Sequence, residues 1–206
     1  MSVKVVCFDL GGVLVRICTS WPEAMVSAGV FGVLQGGPRL QDCPAFDQYQ
    51  AGEIGEETYL TRLSEHLGGI GELQAQAVHN GILRESYAGT LRLVMDLESA
   101  GVQTGCLSNT NSLHWQEMTE TDRFPAIARL QTKAASHVER LSKPDPAFYR
   151  LFEARAGVRP EEVLNFDDVA EYVDSARSVG WNAVLVDPMG DTAAQMRAEM
   201  VTFGLL

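Results

Sequence analysis

Four short segments hold the side chains in this sequence that could do chemistry, and they lie far apart along it. Asp9 follows the apolar run Val3-Lys4-Val5-Val6-Cys7-Phe8 and stands just before Gly11-Gly12. A β-rich segment ending in a carboxylate and two glycines carries a nucleophile to the carboxyl edge of a sheet, where backbone can close round a small anion. Ser108-Asn109-Thr110-Asn111 ends a second strand-like stretch, Lys143 precedes Pro144, and Asp167-Asp168 ends a further apolar strand. Carboxylate, hydroxyl, ammonium and carboxylate pair at strand ends are the groups that metal-assisted phosphoryl transfer through an aspartyl-phosphate requires.

Each segment also has a plainer use. Asp9 beside glycines could be a loop carboxylate or a helix cap. The adjacent charges of Asp167-Asp168 repel unless a cation or hydrogen bonds offset them, and a magnesium ion would do so. Its oxygen ligands would come from Asp9, one or both of Asp167 and Asp168, a backbone carbonyl and waters; the alternative is a solvated helix N-terminus. The Ser108 hydroxyl and the Asn109 amide can point at a phosphate oxygen, although both residue types also cap helices. In Ser142-Lys143-Pro144-Asp145-Pro146 the prolines fix local backbone angles around Lys143, which suits an ammonium that must not wander, whereas an ordinary turn lysine would be exposed. His114 and Trp115 could line the mouth of such a site, but a surface histidine on a helix is the simpler description. Arg16 could sense a substrate or be a surface charge, and Tyr49, Glu53 and Trp21 could face a cleft or only pack.

These residues need a scaffold that brings strand ends together, and the rest of the sequence supplies one. From about residue 87 the pattern alternates: helix 90–100, strand 102–107, helix 146–156, strand 163–166, helix 170–179 and strand 182–186, with Gly101, Gly157 and Gly180 as helix stops. One more strand is expected within 129–138. Such alternation requires right-handed crossovers and a parallel sheet with helices on both faces, an α/β Rossmann-like core. Residues 18–86 differ. Tyr59, Leu60, Leu63 and Leu67 recur at helical spacing, Glu56-Glu57 suits a helix start, and no convincing strand is legible, so this stretch is expected to be an all-helical insert after the first strand. The expected division is a core of 1–17 and 87–206 with an insert of 18–86.

Bulk properties narrow the partners. The chain of 206 residues is 46% hydrophobic and 21% charged, and 16 Lys+Arg against 27 Asp+Glu give a net charge of −11. That charge argues against nucleic acid and anionic lipid as partners. A small phosphorylated metabolite remains compatible, because a metal, one lysine and helix N-terminal amides can form a local positive pocket. Cys7, Cys18, Cys43 and Cys106 show no C-x-x-C spacing. With neither a signal-peptide pattern nor a membrane-length apolar run, the expected setting is cytoplasmic. The sequence does not indicate an oligomeric state.

Phe8-Asp9-Leu10-Gly11-Gly12-Val13-Leu14, Leu107-Ser108-Asn109-Thr110-Asn111, Lys143-Pro144-Asp145-Pro146 and Asn165-Phe166-Asp167-Asp168 resemble, in order, the four motifs of the haloacid dehalogenase superfamily. The resemblance extends over nearly the whole chain, with the insert where that family carries a helical cap. It is closest to the branch of sugar-1-phosphate phosphatases and the phosphatase domain of soluble epoxide hydrolase. It implies Asp9 as nucleophile and metal ligand, Ser108 and Asn109 as phosphate binders, Lys143 as the cation steadying nucleophile and phosphoryl oxygens, and Asp167 and Asp168 as magnesium ligands. Gly11 and Gly12 would approach the phosphate, and the Gly11 carbonyl could reach the metal.

One departure stands out. The family places a second Asp, the general acid and base, two residues after the nucleophile, and here that position is Gly11. Its contribution of roughly a hundredfold or more would have to be unnecessary or come from elsewhere, His114 being one candidate. The implied activity is magnesium-dependent hydrolysis of a small phosphorylated metabolite, a sugar phosphate in the resembling branch. The rivals are a metal-independent dehalogenase and a non-catalytic protein that binds a phosphorylated ligand.

Overall fold

The computed structural model describes residues 2–206. Its centre is a five-stranded parallel sheet of β1 (Val5–Phe8), β4 (Gln103–Ser108), β5 (Thr132–Ala135), β6 (Val163–Asp167) and β7 (Asn182–Leu185), in the order β5-β4-β1-β6-β7. β1 is central and buried on both faces, which explains its unbroken apolar run. Its alternate residues enter two cores: Val6 and Phe8 pack with Leu93, Leu97, Leu164, Phe166 and Met196, while Val5 and Cys7 pack with Leu107, Phe148, Phe152 and Trp181. Helices therefore cover both faces, as the alternation requires.

On one side are α5 (Thr90–Ser99), α6 (Ser112–Glu120), α7 (Pro125–Arg129) and α11 (Thr192–Thr202); on the other, α9 (Pro146–Ala156) and α10 (Ala170–Ser178), while the short α8 (Ser136–Glu139) follows β5 at the strand ends. Helix α9 shows why local sequence reads clearly here. The Asp145 carboxylate accepts from the Ala147 amide at 2.9 Å, Pro146 opens the helix, and Gly157 closes it in the left-handed region at φ 69°. The additional strand expected within 129–138 is β5.

Between the first and second sheet strands lie α1 (Trp21–Ala28), α2 (Pro44–Gln50), α3 (Glu56–His66) and α4 (Glu72–Asn80), which enclose an apolar cluster of their own around Trp21, Phe46, Tyr59, Leu63 and Val78. The insert is not helical throughout. Leu83–Ser86 forms β3, paired antiparallel with β2 (Val15–Ile17). This short ribbon brackets the inserted helices, and its few residues are too short a run for alternation to reveal. Among the described residues all four cysteines are free and buried, and no helix is long and apolar enough to cross a membrane.

Candidate active site

Parallel pairing of β1 with both β4 and β6 puts the carboxyl ends of three strands side by side, and with them Asp9, Ser108 and Asp167. Lys143, from the loop before α9, reaches into the same place. Its ammonium lies 3.0 Å from Asp9 Oδ1 and 2.6 Å from Asp167 Oδ2, and the lysine is almost wholly buried. Asp167 spends its other oxygen on the Val169 amide at 3.0 Å, so both its oxygens are engaged. Asp9 is different. Its Oδ1 is buried and accepts no aligned hydrogen bond, the lysine contact being an ion pair off the hydrogen-bonding direction. A buried carboxylate oxygen with unspent capacity is suited to an incoming electrophile or cation.

Asp168 completes the cluster. Asp9, Asp167 and Asp168 can each offer one oxygen, all within 4.8 Å of one another. Gly12, with φ of 75°, lies directly under the Asp168 carboxylate, and a Cβ at that position would run into it. Burial, then Asp9 and Asp167, push the Asp168 carboxyl up to about 7. Burial also raises Asp9, opposed by Lys143 and reinforced by Asp167. Burial alone would lower Lys143, but Asp9 and Asp167 outweigh it and hold the lysine above its ordinary value. Three crowded carboxylates against one ammonium leave an excess of negative charge, and their hard oxygens fit a divalent cation such as magnesium or calcium.

Asn109 has a role that the sequence does not reveal. Its side-chain oxygen accepts from the Lys143 amide at 2.8 Å and its nitrogen donates to the Lys143 carbonyl at 2.9 Å. Side chain and backbone thus lock together across two loops. Tyr172, on α10, adds to this. Its hydroxyl lies 3.3 Å from Asn109 Nδ2 and the Lys143 ammonium sits 4.9 Å from its ring centre. Neither partnership has a signal in local spacing, because 34 residues separate Asn109 from Lys143 and 63 separate it from Tyr172.

His114 is not on the surface. It is buried and stacked on His79 at 3.9 Å, with Nε2 donating to the His79 carbonyl at 2.9 Å and Nδ1 facing the Asn111 side-chain nitrogen at 3.3 Å. Asn111 Oδ1 caps α6 through the His114 amide and also accepts from His79 Nε2 at 3.0 Å, while His79 Nδ1 meets the Tyr59 hydroxyl at 2.6 Å. Burial pulls His114 down to about 4 and His79 well below its usual value. With both ring nitrogens committed and the ring neutral, His114 is not set up to give a proton to a leaving group.

Ile17 packs close beside Gly11: a Cβ there would stand 3.2 Å from Ile17 Cδ1, so a side chain at position 11 would need that side chain to give way slightly. Arg16 lies 4.3 Å above the Tyr87 ring and 3.6 Å from Glu85, bordering a cavity of about 420 Å³ that also touches Gly12 and Asp168. Trp21 and Tyr49 are buried in packing, Tyr49 joining Ser112 through a 2.6 Å hydroxyl contact. Glu53 borders a separate hollow with Arg140 and Ser142. A further cavity of about 840 Å³ is lined by Arg84, Tyr87, Arg92 and Arg123 and by none of the clustered carboxylates.

Comparison with known proteins follows the same lines. A Mycobacterium tuberculosis protein named as a phosphatase is 35% identical over 224 residues, spanning all of this chain and 97% of its own. Among solved structures, a predicted HAD-like family hydrolase from Porphyromonas gingivalis superposes with a TM-score of 0.80 at 23% identity, covering 97% of this chain and 98% of that one. A HAD family enzyme from Bacteroides thetaiotaomicron, solved with magnesium and inorganic phosphate, gives 0.77 at 21% identity, covering 95% and 100%. The L-2-haloacid dehalogenase of Xanthobacter autotrophicus gives 0.63 at 20% identity, covering 99% and 84%. The family model described as haloacid dehalogenase-like hydrolase matches residues 3–180, a span that takes in Asp9, Ser108, Lys143 and the Asp167-Asp168 pair. The chain belongs to the haloacid dehalogenase-like hydrolase family.

Proposed function

We propose that the protein is a magnesium-dependent phosphatase of a small phosphorylated metabolite, a sugar phosphate in the first instance, acting through an aspartyl-phosphate on Asp9. The observation that carries this reading is the buried Asp9 oxygen, free of aligned hydrogen bonds, beside Lys143 and two further carboxylates. Magnesium and phosphate in the Bacteroides relative and the name of the Mycobacterium relative support it.

In this reading residues 18–86 are the cap and 1–17 with 87–206 the core. Asp9, Asp168, Asp167 and the Gly11 carbonyl would hold magnesium, which supplies charge neutralisation at the phosphoryl oxygens. One Asp9 oxygen attacks phosphorus as the bond to the leaving oxygen breaks, and the leaving oxygen takes a proton from water. Lys143 balances the charge on Asp9 and the phosphoryl group. The Ser108 hydroxyl, the Asn109 amide and the Gly11-Gly12 backbone orient the phosphate, while the Asn109 side chain fixes Lys143. Water then attacks phosphorus, releasing inorganic phosphate and restoring the Asp9 carboxylate.

The test is phosphate release from an aryl phosphate by the parent and by Asp9→Asn, with magnesium and with chelator. Loss of release in the variant, and loss with chelator reversed by magnesium, are expected; an active Asp9→Asn protein would rule the mechanism out. A dehalogenase is the weaker reading, because a site for a carboxylate substrate gains nothing from the extra charges of Asp167 and Asp168. The lack of a side chain at Gly11 favours the other alternative, a binding protein without turnover, and no phosphate release by the parent with magnesium would favour it over the phosphatase reading.

A further inference from the structure

Two glutamines of the inserted segment, Gln41 and Gln50, line two cavities with the loops of Ser108 and Lys143. One, of about 130 Å³, is bounded by Gly11, Ile17, Phe46 and Ser108, and the other, of about 310 Å³, by Asp47, Ser142 and Tyr172; Gln41, Gln50 and Asn109 border both. Gln50 ends α2, where its backbone is tied to the core. The Ser136 hydroxyl accepts from the Thr110 amide at 2.9 Å and shares its proton between the Gln50 carbonyl at 2.6 Å and the Thr110 carbonyl at 2.9 Å. Ser136 therefore sets the height of Gln50 above the Ser108 loop.

Neither glutamine side chain hydrogen-bonds to another group among the described residues, although their neighbours Arg39, Asp42 and Gln48 all do. Each carboxamide thus presents both donor and acceptor capacity to the cavities. Vicinal hydroxyls, each a donor and an acceptor, are the complementary chemistry. The charge of the lining is equally informative. No arginine or lysine borders either cavity, and the charged side chain that does, Asp47, is acidic. Lys143 has its charge committed to Asp9 and Asp167.

We infer that Gln41 and Gln50 select the leaving group, and that this group is neutral and polyhydroxylated, so that the substrate is a monophosphate of a sugar or polyol rather than a bisphosphate or a phosphorylated acid. This rests on the phosphatase reading above. A second phosphate or a carboxylate would have to enter beside Asp47 with no cation to meet it, and such unmatched like charge discriminates strongly. The cavity near Asp168 carries no net positive lining: Arg16 and Arg84 border it together with Glu23, Glu85 and Asp168, and Arg16 lies 3.6 Å from Glu85.

The test is steady-state kinetics with magnesium on an aryl phosphate, a panel of hexose and polyol monophosphates, and the matching bisphosphates. The parent is expected to favour at least one monophosphate over its bisphosphate by tenfold or more in kcat/KM. In Gln41→Ala, Gln50→Ala and the double variant, the ratio of kcat/KM for that monophosphate to kcat/KM for the aryl phosphate is expected to fall at least tenfold, through KM. Gln50→Asn, keeping the amide on a shorter stem, should recover part of the loss. Preference for bisphosphates, or a ratio that does not move in the double variant, overturns the inference while leaving the phosphatase reading intact. No release from any compound, the aryl phosphate included, overturns both. A ratio set by Arg16→Ala instead of the glutamines would move the selecting group to the Asp168 side and also overturn it.

Discussion

The Asn109 side chain closes a two-point clasp on the backbone of Lys143, accepting from its amide at 2.8 Å and donating to its carbonyl at 2.9 Å. The lysine ammonium can stay between Asp9 and Asp167 because its own backbone cannot shift. Asn109→Ala leaves two buried backbone groups without partners, which should cost about 1–3 kcal/mol of stability. Activity on an aryl phosphate should fall about ten- to a hundredfold, since a small misplacement of the cation is enough to do that. Asn109→Asp keeps one contact but sets an oxygen against the Lys143 carbonyl, and should rescue neither. Denaturant melts and kcat/KM measured side by side check both statements.

Gly11 leads to a second expectation. Because Ile17 Cδ1 lies 3.2 Å from where a Cβ would be, Gly11→Asp must push the Ile17 side chain aside by a few tenths of an ångström. The single variant should show a smaller gain on an alkyl phosphate than one with that space opened. Combining Gly11→Asp with Ile17→Ala opens the space and should raise kcat/KM over the single variant by about tenfold or more, within the usual range of acid–base help. An equal rate in the two proteins would mean that proton transfer does not limit turnover.

How much of this was legible in the sequence depends on the range of each interaction. Asp9 and Asp167 announce themselves because each ends an apolar run, and α9 because Asp145-Pro146 and Gly157 punctuate it. The same local logic fails for β2 and β3, which are too short for alternation, and for α11, whose Ala-Ala-Gln-Met-Arg-Ala-Glu-Met pattern gives little amphipathic contrast. His114 reads as a surface residue because the partner that buries it, His79, lies 35 residues earlier in the inserted segment. The clasp of Asn109 on Lys143 and the approach of Ile17 to Gly11 are likewise products of packing, which residue types alone do not encode.

The stacked histidines make the fold acid-sensitive. His79 and His114 have folded pKa values below the ordinary histidine value of 6.5, His114 at about 4, so the unfolded chain binds protons that the folded one refuses. Their stabilising contribution is complete above pH 6.5 and is lost as pH falls from there toward 4. The slope should be about 1.4 kcal/mol per pH unit for each histidine. Urea melts across that range should show the loss, and His114→Gln should flatten it.

Burial and carboxylate crowding at Asp168 have the opposite sign. Asp168, pushed up to about 7, destabilises the metal-free protein as pH rises through that value. Asp168→Asn should therefore stabilise the metal-free protein at pH 8, by on the order of 1–3 kcal/mol. The same change should weaken stabilisation by magnesium, which in the parent should reach about 2.7 kcal/mol at a hundredfold excess over Kd. Thermal melts with and without magnesium test the two halves separately; a variant less stable than the parent without metal would contradict the crowding.

Asn111 serves two masters at once: its one carbonyl oxygen both starts α6, immediately after the Ser108 loop, and grips the His79 imidazole of the inserted helices. Asn111 thus joins the roof and the floor of the cleft, alongside the Tyr49–Ser112 and Gln50–Ser136 bonds. Were the helices above to swing outward, all of these bonds would have to break together, while the Asn111 cap on the His114 amide would keep α6 started.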